Sequence, residues 1–148
     1  MNQDQENKPS GPVEIAIARL YVKDFSYESP KAPAVFNEQH QPEMKVEVNV
    51  STKRLNQNFY EVSLNILLNA KAKEDSIFIV EIEQAGVFEV KNASQEQLDH
   101  ILLVFCPQTL FPYARAHIDH ALVMGSLPPI MLAPINFETM RAQRQSVN

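Results

Sequence analysis

Alternation of apolar and polar residues along the middle of the chain constrains the fold more than any other sequence feature. Its clearest run is residues 60–70, where Tyr60, Val62, Leu64, Ile66, Leu68 and Ala70 alternate with a mostly polar set. A period of two is typical of a β-strand with one buried face. Residues 44–50 and 76–90 repeat the pattern, and polar turns at 55–58 and 73–75 separate the runs. These runs predict three consecutive antiparallel strands.

A further strand is predicted before this region. Residues 13–23 are rich in β-branched and apolar side chains with partial alternation, which predicts a first strand partly covered on both faces. Residues 25–43 contain Pro30, Pro33 and Pro42, and proline lacks a backbone donor and biases its predecessor toward extended geometry. This segment is predicted to be a long crossover rather than a strand.

The last third of the chain shows helical signals. Ser94 with Gln97 resembles a capping box, and apolar residues at helical spacing predict a first helix that ends at Pro107. Pro112 suits the first turn of a second helix, which Gly125 can terminate. Residues 127–135 hold three prolines and are predicted to lie extended on the surface, after which Asn136 can cap a short final helix.

Strands followed by helices predict one α+β domain over residues 12–148. Its four-stranded antiparallel sheet is a meander with a long crossover after strand one, and C-terminal helices cover one face. The polar residues 1–11 are predicted to form a disordered tail. With 148 residues, 45% of them hydrophobic, the chain is long and apolar enough for one core.

Composition also excludes several function classes. A formal net charge of −5 disfavours nucleic acid as a partner. The chain has only 3 glycines, so it contains neither a P-loop nor a dinucleotide fingerprint. A single cysteine, Cys106, forms no internal disulfide, and neither a signal peptide nor an apolar run long enough to span a membrane is visible. We therefore expect a cytoplasmic protein that is not inserted into a membrane.

No constellation of residues predicts an enzyme. A Cys106 nucleophile with His100, His117 or His120 as its base is the sharpest catalytic alternative, but a cysteine within an apolar run is usually a small core residue. His117 and His120 lie three residues apart, and a metal site needs further ligands. We expect neither cofactor nor metal.

Two surfaces could bind partners. The polar positions of the strands collect Glu47, Glu61, Glu81 and Glu83 on one sheet face, beside Ser63, Asn65, Asn69, Leu67, Ile77 and Ile79. This face suits a basic partner, although a solvated sheet face has the same pattern and is more common. Apolar residues in irregular segments could line an adaptable groove, while core or oligomer contacts are the more ordinary explanation. The crowded apolar run ILLVF, residues 101–105, favours oligomerisation.

Five stretches carry a family resemblance: RLYVKDFSYESPKAP (19–33), QPEMKVEVNV (41–50), EIEQAGVFEV (81–90), CPQTLFPYAR (106–115) and GSLPPIMLAPINFE (125–138). In this order, they resemble the SecB family of bacterial protein-export chaperones. The segment STKRLNQNFY, residues 51–60, matches only loosely.

The resemblance implies an ATP-independent holdase that keeps unfolded precursor proteins export-competent and delivers them to the SecA ATPase. It implies a homotetramer, a dimer of dimers in which strand one pairs across subunits and helix one packs between the sheets. The positions that match its SecA-binding surface are Asp24, Glu28, Ile79 and Glu81. Those implied for the unfolded-substrate groove are Phe25, Tyr27, Phe36, Phe111 and Tyr113. Residues expected to support the oligomer are Val80, Ile82, Gln84, Leu98, Ile101, Leu102 and Phe105. A general or antitoxin-associated chaperone of the same fold is the alternative.

Overall fold

The computed structural model describes residues 11–146 and contains four strands followed by helices. The strands are β1 (Glu14–Glu28), β2 (Glu43–Arg54), β3 (Phe59–Ala72) and β4 (Asp75–Lys91). The helices are α1 (Gln95–His100), α2 (Cys106–Met124) and α3 (Phe137–Ser146), and a 3₁₀ turn covers Ala34–Asn37. The predicted disordered tail lies outside the described residues except for Gly11. The predicted α+β class is confirmed.

All four strands are antiparallel, in the order β1-β4-β3-β2. The predicted meander of β2, β3 and β4 is confirmed, and the crossover carries the chain across the sheet so that β1 pairs with β4. Buried residues of β3 and β4 share a core with α2, including Leu64, Ile82, Leu110 and Ile118, all at zero exposure. We call this side the helix face and the opposite side the open face.

The first strand is longer and more exposed than the sequence predicts. It continues through residues 25–28, which the prolines had assigned to the crossover, because Phe25–Glu28 pair with Ile79–Ile82 of β4. The predicted partial cover on both faces is limited to Leu20, Tyr21 and Tyr27, which are half-buried, whereas Ile17 is 49% exposed. β1 is also an edge strand of the sheet. An edge strand has a sheet neighbour on only one side.

Two register shifts in β1 explain its irregular sequence pattern. They fall between Ile17 and Arg19 and between Val22 and Asp24. An extra residue in one strand shifts the alternation by one position. The helix-face set of β1 is therefore Ile15, Ile17, Leu20, Val22, Phe25 and Tyr27, which pair with the buried residues Val90, Phe88, Gly86, Gln84, Ile82 and Val80.

The two predicted helices are one continuous helical run. The expected end at Pro107 and start at Pro112 are wrong, because α1 passes through a π turn (Ile101–Phe105) directly into α2, which contains both prolines. The Cys106 N–H donates to the Ile101 carbonyl, five residues back. A proline ring clashes with the carbonyl four residues earlier in a regular α-helix, and a π turn changes that spacing immediately before Pro107.

The predicted caps are confirmed. The Ser94 side chain accepts from the Gln97 N–H while the Gln97 side chain accepts from the Ser94 N–H. Asn136 Oδ1 accepts from the Thr139 N–H at 3.0 Å at the start of α3. The extended segment between α2 and α3 is fastened by Asp119, whose Oδ1 accepts from the Ile130 and Met131 N–H groups at 3.0 and 3.3 Å.

Candidate interaction surfaces

The structure brings Asp24, Glu28, Ile79 and Glu81 together on the open face. Asp24 pairs with Glu83, Ser26 with Glu81, and Glu28 with Ile79. Every second residue in these segments of β1 and β4 therefore lies on this one surface. Residues directly opposite each other on adjacent strands lie about 5 Å apart and share a face. We call Asp24, Glu28, Ile79, Glu81 and Glu83 the acidic patch.

The acidic patch continues across the other two strands. Glu83, Glu81 and Ile79 pair with Asn65, Leu67 and Asn69 of β3, and Leu67 pairs with Glu47 of β2. Ile79 and Leu67 are half-buried aliphatics surrounded by carboxylates. Among residues 11–146, none of these carboxylates has a cationic partner within 4 Å. A basic surface that carries an apolar side chain complements this arrangement.

One member of the predicted open face is not an exposed aliphatic. Ile77 is only 6% exposed, because it lies beside the register shift between Ala70 and Lys71 and lines a cavity with Val35 of the crossover. This cavity has a volume of about 310 Å³ and lies between the crossover and the β3–β4 turn. His40 lines it, and its Nε2 is buried without a hydrogen-bond partner among the described residues. No local pattern in the sequence marks this cavity.

Glu61 differs from the other open-face carboxylates because it is already paired. It accepts a hydrogen bond from the Tyr21 hydroxyl, and its Oε1 lies 2.9 Å from Lys23 Nζ. These two bonds, led by Tyr21, lower the pKa of Glu61. Burial, followed by the hydrogen bond and charge of Glu61 and the charge of Glu83, raises the pKa of Tyr21 to about 12.

The five predicted groove residues occupy different environments. Phe25 and Tyr27 share the helix face of β1, where Phe25 is exposed and Tyr27 packs against the core. Phe36 and Tyr113 are each 48% exposed, whereas Phe111 is buried with the Arg115 guanidinium 5.6 Å from its ring centre. The β1 stripe of Ile15, Ile17, Val22 and Phe25 adds exposed apolar surface that sequence analysis did not assign to a site.

The residues expected to support an oligomer are mostly internal in the single chain. Val80 and Ile82 are fully buried, and Gln84 Nε2 donates to the Tyr21 carbonyl at 3.2 Å. Ile101 and Leu102 are buried and Leu98 is half-buried, whereas Phe105 is 41% exposed. Phe105 is therefore the member of this set that offers the most surface to another subunit.

The cysteine considered for catalysis lies in the core, and the three histidines considered with it lie on the helices. Cys106 has no exposed surface, and burial raises the pKa of its thiol to about 12. Nucleophilic cysteines instead have a lowered pKa and an accessible sulfur. His100 contacts Glu138 of α3, whereas His117 and His120 are exposed on α2. In residues 11–146, no helix combines the length and hydropathy needed to cross a bilayer.

Comparison with known proteins identifies the family. The family model described as preprotein translocase subunit SecB matches residues 5–148. The protein-export protein SecB of Legionella pneumophila is 42% identical over 144 residues, which cover 97% of this chain and 87% of that protein. The protein of the same name from Chromohalobacter salexigens is 43% identical over 141 residues, covering 94% of this chain and 86% of the relative.

A solved structure shares the fold at low sequence identity. It contains a SecB-like chaperone of Mycobacterium tuberculosis in complex with a ChAD peptide from the HigA1 antitoxin. It matches with a TM-score of 0.68 and 15% identity, covering 82% of this chain and 90% of that chain. The family model and the relatives above 40% identity extend over nearly the whole sequence, and the chain therefore belongs to the SecB family.

Proposed function

We propose that this chain is a cytoplasmic holdase that binds unfolded precursor proteins, keeps them competent for export and delivers them to the SecA ATPase. The observation that carries this proposal is the convergence of Asp24, Glu28, Ile79 and Glu81. These residues come from two strands more than 50 positions apart in sequence, and they meet on one unpaired acidic surface.

Electrostatic attraction gives SecA delivery its physical basis. Carboxylates exposed on an open sheet attract a basic surface and orient its approach, and salt screens such attraction over about 8–10 Å. Ile79 and Leu67 add apolar contact at the centre of the surface. SecA binding should therefore weaken as the ionic strength rises.

Client binding needs apolar surface that accepts many sequences. The exposed side chains of Phe25, Phe36 and Tyr113, with the neighbouring Tyr27 and the buried Phe111, are the proposed groove residues. Aromatic side chains provide large contact area without strict geometry. A relative with this fold was solved with a peptide bound, which supports peptide capture as a use of the fold.

Assembly as a homotetramer, a dimer of dimers, would multiply weak client contacts. Four copies of one groove hold a long unfolded chain by avidity, while folded proteins are ignored because their apolar segments are buried. The uncovered β1 edge and the exposed side chain of Phe105 are two separate surfaces that support subunit contacts. No cofactor, metal, nucleic acid, catalysis or membrane insertion is part of the proposal.

The first experiment measures client and SecA binding at several salt concentrations by light scattering with mass determination. We expect a tetramer that binds a slow-folding precursor at every salt concentration and binds SecA only at low to moderate salt. A triple variant that combines Asp24→Asn, Glu28→Gln and Glu81→Gln should lose most of its SecA affinity and retain client binding. If SecA affinity changes neither with salt concentration nor with these substitutions, the electrostatic proposal is wrong.

The alternative is a chaperone of the same fold that does not serve export. A chain that suppresses aggregation but never binds SecA would establish that alternative. A cysteine-dependent enzyme would lose activity in Cys106→Ser, whereas the holdase proposal expects that variant to keep client binding.

A further inference from the structure

A bridge of three side chains interrupts the open face beside the acidic patch. Tyr21 and Lys23 extend from β1 across β4 to Glu61 on β3, where the two oxygens of Glu61 take one bond each. Ala85, opposite Tyr21, and Ser63, opposite Ala85, lie on the same face and are nevertheless buried, at 0% and 3% exposure. Small side chains at these two positions leave room for the bridge to cross the sheet.

The charge pattern of the open face changes at this bridge, from carboxylates without an ion-pair partner to mixed charges in which Glu61 and Glu89 are each paired with a lysine. On one side lie Asp24, Glu28, Glu81, Glu83 and Glu47, none of which has an ion-pair partner among residues 11–146. On the other side, one row across the sheet runs Arg19–Val87–Glu61–Lys53. Lys45, on edge strand β2, is the basic residue within the acidic side.

Glu61 therefore has an ion-pair partner and Glu83 has none among the described residues, although the sequence places both on one acidic face. Glu61 is 17% exposed and is neutralised by Lys23 at 2.9 Å. Glu83 lies directly opposite Asp24 and next to the Glu81 row. Two unpaired carboxylates side by side attract a cation more strongly than a carboxylate that already has one.

We propose that the Tyr21–Lys23–Glu61 bridge marks the boundary of the surface that docks a basic partner. Glu83, and not Glu61, belongs to the carboxylates of that surface. The inference deepens the proposed function and rests on it. The occupant is a basic surface of SecA that carries an apolar side chain, with cations toward Asp24, Glu81 and Glu83 and the apolar group on Ile79 and Leu67. Charge complementarity with these described residues selects this occupant.

The first test is Glu83→Gln, measured as SecA affinity at low salt beside Glu81→Gln. Each exposed charge contact contributes modestly, so each variant should weaken binding by about two- to fivefold, with a smaller effect at high salt. Client binding and melting temperature should stay unchanged, which separates lost docking from lost folding.

The second test removes the bridge in two steps. Lys23→Gln leaves Glu61 without its cation and should strengthen SecA binding by about two- to fivefold. The double variant Lys23→Gln with Glu61→Gln removes both charges and should return to the wild-type affinity. The matched control is Lys91→Gln, which breaks the 3.0 Å Lys91–Glu89 pair at the far end of β4, has the same 47% side-chain exposure as Lys23, and should leave affinity unchanged.

Different outcomes overturn different statements. If Glu83→Gln binds SecA normally while Glu81→Gln is weakened, or if the double variant is weakened as much as Glu81→Gln, the boundary is wrong and the proposed function stands. If Lys91→Gln strengthens binding as much as Lys23→Gln, net charge alone decides affinity and the bridge has no special role. If Asp24, Glu28 and Glu81 variants all bind normally, the SecA surface itself is wrong.

Discussion

Tyr21 is held in its protonated form by its position over the sheet. Burial is the largest cause of its raised pKa, and the hydrogen bond and charge of Glu61 add to it, giving a pKa of about 12 against an ordinary 10.0. Because the folded pKa exceeds the unfolded one, this contribution to stability is complete below pH 10 and is lost as the pH rises from about 10 to 12.

We predict that ultraviolet titration will show a late phenolate transition near pH 12. Tyr21→Phe should remove that transition. The pKa of Glu61 is lowered by the same bond, so its contribution is present above its ordinary pKa of 4.5 and is lost as the pH falls below that value. A late transition that survives Tyr21→Phe would contradict the assignment.

Cys106 is a core residue that contributes to packing. Its side chain has no exposed surface, and its thiol pKa is about 12. We predict that a thiol reagent labels the folded protein only as fast as the chain unfolds. Cys106→Ala should cost about 1–2 kcal/mol in the free energy of unfolding, because it leaves a small cavity, and should retain client binding. Rapid labelling of the native protein would show that the thiol is accessible.

Among the helices and strands, the contact between β1 and the end of α2 depends on the absence of a side chain at Gly125. A Cβ there would overlap the Tyr27 hydroxyl oxygen and lie 2.7 Å from the Tyr27 Cζ. Gly125 has φ −87°, so its backbone does not require glycine, and the left-handed residue is Ser126 at φ 62°. The close approach of the Tyr27 side chain therefore explains why residue 125 is a glycine.

Two adjacent substitutions at this helix end should therefore have different effects on the free energy of unfolding. Gly125→Ala forces Tyr27 away from α2 and should cost about 1–3 kcal/mol in the free energy of unfolding. Ser126→Gly relieves a left-handed backbone and should be neutral or slightly stabilising. Denaturant unfolding measures both, and a Gly125→Ala variant as stable as the wild type would show that Tyr27 moves without cost.

For the whole molecule, the exposed apolar residues of the single chain predict which substitutions prevent tetramer formation. Phe105 lies in the π turn, is 41% exposed, and belongs to the residues expected to support the oligomer. Phe105→Glu should lower the mass measured by light scattering from about four times 16.8 kDa, because a buried unpaired carboxylate is costly at an interface.

The matched control for this prediction is Val123→Glu, at a residue of α2 that is 50% exposed and outside the support set. It should leave the tetramer intact. Circular dichroism should be native in both variants, since neither side chain belongs to the core cluster. A Phe105→Glu chain that keeps its full mass would exclude the π turn from the subunit contacts.

Local patterns predicted the elements whose causes are local. The alternation of β2, β3 and β4, the Ser94 capping box and the Asn136 cap all act within a few residues, and the structure contains each of them. The family resemblance added the four positions proposed to bind SecA, of which alternation alone had placed only Ile79 and Glu81, on a face more commonly explained as solvated. Their meeting on one surface depends on the pairing of β1 with β4.

The amino-acid sequence by itself determined the strand-forming runs, the capped starts of α1 and α3, the acidic balance and the family. Tertiary structure decided that β1 lies beside β4, that two register shifts keep its apolar side chains on one face, and that the helix continues through Pro107 after a π turn. It also decided that Lys23 neutralises Glu61 and Tyr21 donates a hydrogen bond to it, while Glu83 remains without an ion-pair partner among the described residues. The reason is physical: these outcomes depend on contacts between residues tens of positions apart, and local propensity and periodicity contain no information about which distant side chain becomes a neighbour.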